Sequence, residues 1–220
     1  MNNIVTIATK EFKSYLTAPM AYIVSAIFLV FTGPFYTMLA PFSYSTFNET
    51  SISGFLQPAG VMLLLLGPLL GMRLVAEERK LGTIELLLTS PVRDSEVILG
   101  KFFGSMGILL AMLALSLYYP VLLFVFGAPD PGPIVTGYLG LFLLGCVALA
   151  VGTFASALTS NQMVAAVMGI GILVALWFVG LGAGFLPAGL ANVVNYISLS
   201  HYLPDFTIGI LDTRAIIYYL

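Results

Sequence analysis

Charge is what this chain has least of. Only 8% of its 220 residues are Asp, Glu, Lys or Arg, against about 25% in an ordinary soluble domain. None occurs at 14–48, 50–72, 102–129 or 131–204. That excludes a broad basic face, and with it nucleic acid as a partner. Mid-span ionisable residues are missing too, which argues against an ion-coupled carrier, whose spans keep such groups to bind the ion. Cysteine and histidine are nearly absent. A single cysteine, Cys146, rules out an internal disulfide, and with one histidine, His201, no metal-ligand cluster can be assembled. No cofactor site is legible in this chain. The nearest approach to a phosphate-binding loop, "EVILGKFFGS", has Ser95 where the first glycine belongs and Phe102 where the hydroxyl belongs. "GIGILV" and "GLGAGF" lack the third glycine of a dinucleotide fingerprint. Ser198, Ser200 and His201 are neighbours in one segment, so they do not face one another as the nucleophile and base of an intramembrane protease would. The chain reads as a non-enzyme.

What is present is apolar. The hydrophobic fraction is 60% and the mean hydropathy +1.05. A spanning helix needs about 20 apolar residues to cross about 30 Å of hydrocarbon. The charge-free intervals supply five, at roughly 20–41, 56–72, 103–126, 135–158 and 163–186. The fold class is therefore an all-α integral membrane protein in one domain, 1–220. The last two spans are separated only by "TSNQ", Thr159 to Gln162, which predicts a tight hairpin. No small-residue cleavage site follows a short apolar core, so no removable signal peptide is read. Lys10, Lys13, Arg73, Arg79, Lys80, Arg93 and Lys101 all fall on one side if the N-terminus is cytoplasmic, leaving only Arg214 outside. Positive loops stay inside, so that orientation is expected.

Four segments break the apolar pattern. At residues 1–18, Ile4, Ile7, Ala8, Phe12, Tyr15 and Leu16 recur at helical spacing opposite Thr6, Lys10, Lys13 and Ser14. This predicts a helix lying in the membrane interface. At 73–101, Glu77, Glu78, Arg79 and Lys80 stand consecutively ahead of "LGTIELLLTSP". Leu74, Leu81, Ile84 and Leu88 form one stripe of a helix running to Pro91, and Asp94 or Ser95 is expected to cap the next. A short apolar helix on a cytoplasmic loop wants a groove to bury in, in the helix-in-groove manner. At 187–215 the chain is too apolar for a free loop and too rich in Gly and Pro for one helix. Short re-entrant or interfacial helices are expected there, capping the outer face, with Phe185, Pro187, Tyr196 and His201 as outer-gate candidates. Finally "RAIIYYL" opens a further apolar run, read as a sixth span cut short at Leu220. The glycine pairs Gly67/Gly71, Gly100/Gly104 and Gly180/Gly184 permit close helix approach, either within the chain or at a dimer seam.

"AEERKLGTIELLLTSPVRDSEVILGKFFG" closely resembles the loop between the second and third spans of ABC-2-type transporter permeases. The resemblance is strongest to the gliding-motility-type branch and to its relatives in multicopper-enzyme maturation. "GPIVTGYLGLFLLGCVALAVGTFASALTSNQMVAAVMGIGILVALWFVG" is similar to that branch's fourth and fifth spans, and "SHYLPDFTIGILDTRAIIYYL" resembles its outer segment and the start of span six. The resemblance implies a six-helix half-transporter of the type V exporter kind. It implies that Glu77, Glu78, Arg79, Lys80, Gly82, Thr83, Glu85, Leu86, Leu87 and Leu88 form a coupling helix seated on a separate ABC ATPase dimer, where ATP and magnesium would be held. Movement of that helix would shift the spans and move substrate, as export across a bacterial inner membrane. A second permease copy or paralogue, and an auxiliary membrane subunit with a large periplasmic domain, are the further partners implied, besides the lipid bilayer itself. The competing expectation is a scaffold or force-transmitting anchor for a cytoplasmic complex, which would dock a partner on the same loop without transport.

Overall fold

The computed structural model describes residues 2–44, 52–82, 92–185 and 187–220. All regular structure among them is helical: α1 (Asn2–Thr17), α2 (Pro19–Tyr44), α3 (Ser53–Gly71), α4 (Ala76–Leu81), α5 (Asp94–Ser116), α6 (Tyr118–Phe126), α7 (Pro131–Leu158), α8 (Gln162–Phe178), a 3-10 segment Val179–Phe185, then α9 (Ala188–Ile197), α10 (Leu199–Thr207) and α11 (Thr213–Tyr219). Four stretches are long and apolar enough to cross a membrane: Ser53–Leu81, Asp94–Phe126, Pro131–Leu158 and Gln162–Gly184. The pair Asn3–Thr17 and Pro19–Gly33, bent by 72°, is apolar and long enough to make a fifth if the two form one broken span. Pro19 opens α2 where an amide hydrogen would have no partner anyway. The protein is a multi-pass membrane protein. Its large exposed side chains, Val121, Val125, Phe126, Val135, Phe154 and Val167 among them, are the surface such a bundle offers to lipid.

α7 is the central strut. α3 lies against its whole length, α8 packs back on it through the hairpin, and α10 and α11 cover its first turns. The hairpin closes as expected: Asn161 Oδ1 accepts the Met163 amide at 3.0 Å, and Thr159 Oγ1 accepts the Asn161 amide at 3.1 Å. Lipid tails are as apolar as leucine, so close packing and buried hydrogen bonds must hold these helices together. Backbones touch where glycines allow it. A Cβ at Gly71 would fall 2.8 Å from the Gly152 carbonyl carbon, and one at Gly152 would fall 2.8 Å from Pro68 Cα. Gly169 meets Pro68 in the same way, so α3, α7 and α8 converge on one level. The Gly67/Gly71 pair thus serves packing within the chain.

The span after α4 is interrupted at Leu117. Pro120 cannot donate to the Ser116 carbonyl. Tyr138 of α7 replaces that bond, its hydroxyl donating to Ser116 O at 2.9 Å. This is how a broken helix stays satisfied inside a membrane.

The apolar stripe of α1 packs on α5. Gly100 meets Ile7 and the Ile4 carbonyl, Gly104 meets Ala8 and Glu11, and Gly107 meets Phe12. These three glycines cut a smooth groove along α5, so Gly100/Gly104 also pack within the chain. Lys10 and Lys13 lie on the exposed side, as read from the sequence, and Leu16 is exposed as well. A Cβ added at Gly184 would meet nothing within 4 Å, so the third glycine pair makes no close approach at that residue.

Candidate coupling site

The charged segment after α3 is clamped to the bundle at its start and projects at its end. Span α3 finishes at Gly71, and the chain must turn while still buried. Ser156 of α7, itself fully buried, completes the turn. Its hydroxyl donates to Met72 O at 2.8 Å and accepts the amides of Val75 and Ala76 at 3.1 and 2.9 Å. One side chain therefore satisfies three backbone groups of the turn. Tyr15 of α1 donates to the Leu70 carbonyl at 2.5 Å. Arg73 then reaches back to α1: Nη2 donates to Ser14 Oγ at 3.0 Å, and the guanidinium stands 4.4 Å from the Tyr15 ring centroid. Its Nε lies 3.6 Å from Glu77, close enough to attract but too far to hydrogen-bond.

α4 is amphipathic by charge. Leu74 and Ala76 are buried and Glu77 and Glu78 half-buried, whereas Arg79, Lys80 and Leu81 are exposed. Glu78 turns inward to Lys101 of α5, at 2.9 Å, and Glu11 of α1 approaches the same ammonium at 3.5 Å. Lys101 is 6% exposed. One cation with two carboxylates thus ties together three elements that are distant in sequence. At the mouth of the same junction, Glu96 Oε2 accepts both the Arg93 amide and Asn3 Nδ2 at 3.2 Å, joining the starts of α5 and α1.

The helix expected to run from Leu74 to Pro91 does not do so. Gly82 takes φ +71°, a left-handed conformation that glycine adopts without strain, and closes α4 as its C-cap. Leu74 and Leu81, expected on one stripe, are respectively buried and two-thirds exposed. Arg93, one residue before the expected caps Asp94 and Ser95, holds the N-cap position of α5. Of the expected coupling residues, Glu77, Glu78, Arg79, Lys80 and Gly82 are brought together here. Thr83, Glu85, Leu86, Leu87 and Leu88 lie outside the described residues. Sequence reasoning does not single out Glu11, Lys101 or Ser156 for this site. The signal for Glu11 is a carboxylate inside an apolar helical stripe.

At the other end of α7 the chain after α8 folds into the short helices α9, α10 and α11. Hydroxyls hold it together through backbone carbonyls, most of them in the last turn of a helix, where carbonyls lack an intrahelical partner. Ser198 and Ser200 donate to Trp177 O, Thr136 to Phe206 O, Tyr218 to Ile197 O and Tyr219 to Leu199 O. Among the gate candidates, Tyr196 and His201 both pack edge-on to Tyr202 and line one cavity. Pro187 is the exposed N-cap of α9 and does not line that cavity, and the Phe185 side chain lies outside the described residues.

Replacing Ser156 by alanine is expected to cost about 1–3 kcal/mol, because two amides and a carbonyl lose their buried partner. Hydrogen exchange should rise specifically at Val75 and Ala76, whereas Ser156→Thr, which keeps the hydroxyl, should protect them. Unchanged exchange in the alanine variant would show that the turn does not depend on this clamp.

A bundle with four stretches long and apolar enough to cross a membrane, one charged elbow locked to the foot of its neighbours and three short helices at the opposite end is that of a helical membrane protein. A family model described as "ABC-2 family transporter protein" matches residues 5–210, and the chain belongs to that family. It is 34% identical over 136 residues to a probable ABC transporter permease protein NosY of Pseudomonas aeruginosa, covering 59% of this chain and 46% of that protein. It is 32% identical over 152 residues to a probable multidrug ABC transporter permease YbhS of Escherichia coli, covering 64% of this chain and 35% of that one. The chain thus matches less than half the length of either relative.

Proposed function

We propose that this chain is the membrane-spanning part of an ABC transporter permease, worked by a separate ATPase that docks at α4. The observation that carries the reading is the division of charge on α4. Its acidic residues are engaged with Arg73 and Lys101 of the bundle, and its basic residues Arg79 and Lys80 face away. A push on the exposed side is passed by Glu78 to Lys101, and so to α1 and α5 together. The Ser156 clamp passes the same displacement to α3 and α7. ATP and magnesium would be bound and spent in the partner, and this chain would supply conformational change alone. Family membership and likeness to two probable permeases support this reading. The distribution of Lys and Arg supports an inner-membrane placement with α1 and α4 on the cytoplasmic side. Because ATPases of this kind work as pairs and each permease chain has one α4, two permease chains would assemble, moving substrate outward.

The test is retention of the ATPase. Tagged protein is purified from native membranes in mild detergent and its companions are identified by mass spectrometry, alongside an Arg79→Glu/Lys80→Glu variant. Both side chains are exposed, so the variant should fold. Retention of an ABC ATPase by the parent, and its loss from the variant by tenfold or more, is the expected result. An intact parent that retains no ATPase sinks the transporter reading and leaves a scaffold for some other complex.

A further inference from the structure

Between α9, α10 and α11 lies an open cavity of about 610 Å³. This is within the range of ligand sites, about 300–1,000 Å³. Coupling at α4, at the opposite end of α7, does not involve it. In a chain so poor in charge, the cavity gathers Asp205, Asp212 and Arg214, with the side-chain amides of Asn192 and Asn195 beside them. Among the described residues Arg214 closes no ion pair, and neither do the two aspartates. Asp212 uses one carboxylate oxygen to accept the Arg214 amide at 2.8 Å, which leaves the other oxygen for a ligand. Charges of both signs are thus held near one another without neutralising each other.

The walls carry the pattern expected of a border between lipid and water. α9 exposes Leu190, Val193 and Ile197 along one stripe and turns Asn192 and Asn195 into the cavity. This is the pattern of a helix lying in the membrane interface with its apolar side in acyl chains. Ile217 of α11, 71% exposed, continues the apolar rim. Tyr196, Tyr202 and Tyr218 cluster at the same level, with ring centroids 4.6 to 6.3 Å apart, and tyrosine concentrates at headgroup depth. Burial raises the Tyr202 hydroxyl above its ordinary value, and Tyr196 and Asp212 push it the same way against Arg214, so it stays a neutral donor.

We propose that this cavity holds the headgroup of a phospholipid that carries both a phosphate and a primary amine, with its acyl chains along the α9 stripe. Arg214 would pair with the phosphate. Asp205 and the free oxygen of Asp212 would accept from the ammonium. A purely anionic headgroup would meet two carboxylates for one guanidinium, and a headgroup without phosphate would leave Arg214 unpaired. Charge complementarity therefore selects the zwitterion. A quaternary ammonium has no N–H to give the aspartates and should bind less well.

The test is native mass spectrometry of the full chain in detergent, titrated with phosphatidylethanolamine, phosphatidylglycerol and phosphatidylcholine of matched acyl chains. Phosphatidylethanolamine should be retained about tenfold over phosphatidylglycerol, the worth of one charge-assisted hydrogen bond, with phosphatidylcholine between them. Arg214→Gln and Asp205→Asn should each abolish the preference without moving the melting midpoint. Soluble glycerophosphoethanolamine should compete only at far higher concentration if the acyl chains contribute; competition at equal concentration would make the ligand a free phosphoamine and overturn the lipid assignment. Equal retention of the three lipids, a preference for phosphatidylglycerol, or a preference that survives in both variants would each show ordinary boundary lipid and end the proposal.

Discussion

Lys101→Met should lower stability clearly, because it removes the cation that two carboxylates share. Methionine keeps the length and apolar stem of lysine but takes away the charge that Glu11 and Glu78 share. Removing one partner of a fully buried ion pair costs about 3–5 kcal/mol. Here the two carboxylates keep 15% and 25% exposure and hence some hydration, so about 2–3 kcal/mol is expected. The measurement is the melting midpoint of the detergent-purified protein, read with the amount of the proposed ATPase that co-purifies. Three elements share this one ammonium, so the defect should appear in both readouts: α4 loses its tether to α5, and α1 loses its hold on the foot of the same helix. Adding Glu11→Gln and Glu78→Gln to the methionine variant removes both carboxylate charges and should restore most of the midpoint without restoring the proposed ATPase. Full stability of Lys101→Met would mean that the triad is a surface feature despite its burial, and α4 would then be anchored by Ser156 and by the Arg73 contacts with α1 and Glu77.

The parts of this molecule that are legible in its sequence are those on which the membrane imposes a length. Five apolar runs produce four crossing helices and a bent pair, because hydrocarbon thickness fixes how long such a run must be. Helix ends are less legible, since apolar length marks the hydrocarbon and not the helix. α5 starts at Asp94, well before its apolar limit at 103. The outward face of α4 is legible from consecutive charges, but its end is not. An apolar stripe running on to Leu88 outweighs Gly82 in the sequence pattern, although glycine just past a helix is the commonest stop signal. The contacts between elements are the least legible. Ser156 reads as one more small residue in α7, and a serine there more often bonds to its own helix. Only the fold brings it under Met72, Val75 and Ala76. Likewise the glycine pattern of α5 indicates close approach by something, and the structure shows that the visitor is α1 and not another span.

A single methyl group at Gly71 tests the packing that supports all of this. In Gly71→Ala the new Cβ would lie 2.8 Å from the Gly152 carbonyl carbon and 2.9 Å from both Gly152 Cα and Thr153 N. All three are backbone atoms inside a helix, and no rotamer change can move them aside. α3 must therefore shift away from α7. It cannot shift alone, because Gly152 is itself in contact with Pro68, and Gly169 of α8 rests on the same proline. The displacement falls one residue before Met72, so it also stretches the three hydrogen bonds to Ser156. Overpacking of a close-packed site costs about 1–3 kcal/mol, and the strained clamp adds to it at about 1 kcal/mol per hydrogen bond. A loss of about 3 kcal/mol or more is expected from these two effects together, seen as a lower melting midpoint, a smaller monodisperse fraction in detergent and poor recovery of the ATPase. Gly171→Ala is the matched control: it lies within α8 with nothing within 4 Å of its Cβ position, and should be neutral or stabilising by up to about 1 kcal/mol through helix propensity. If the two alanine variants melt together, α3 and α7 are not in backbone contact at this level, and a push on α4 would have no rigid path to the spans.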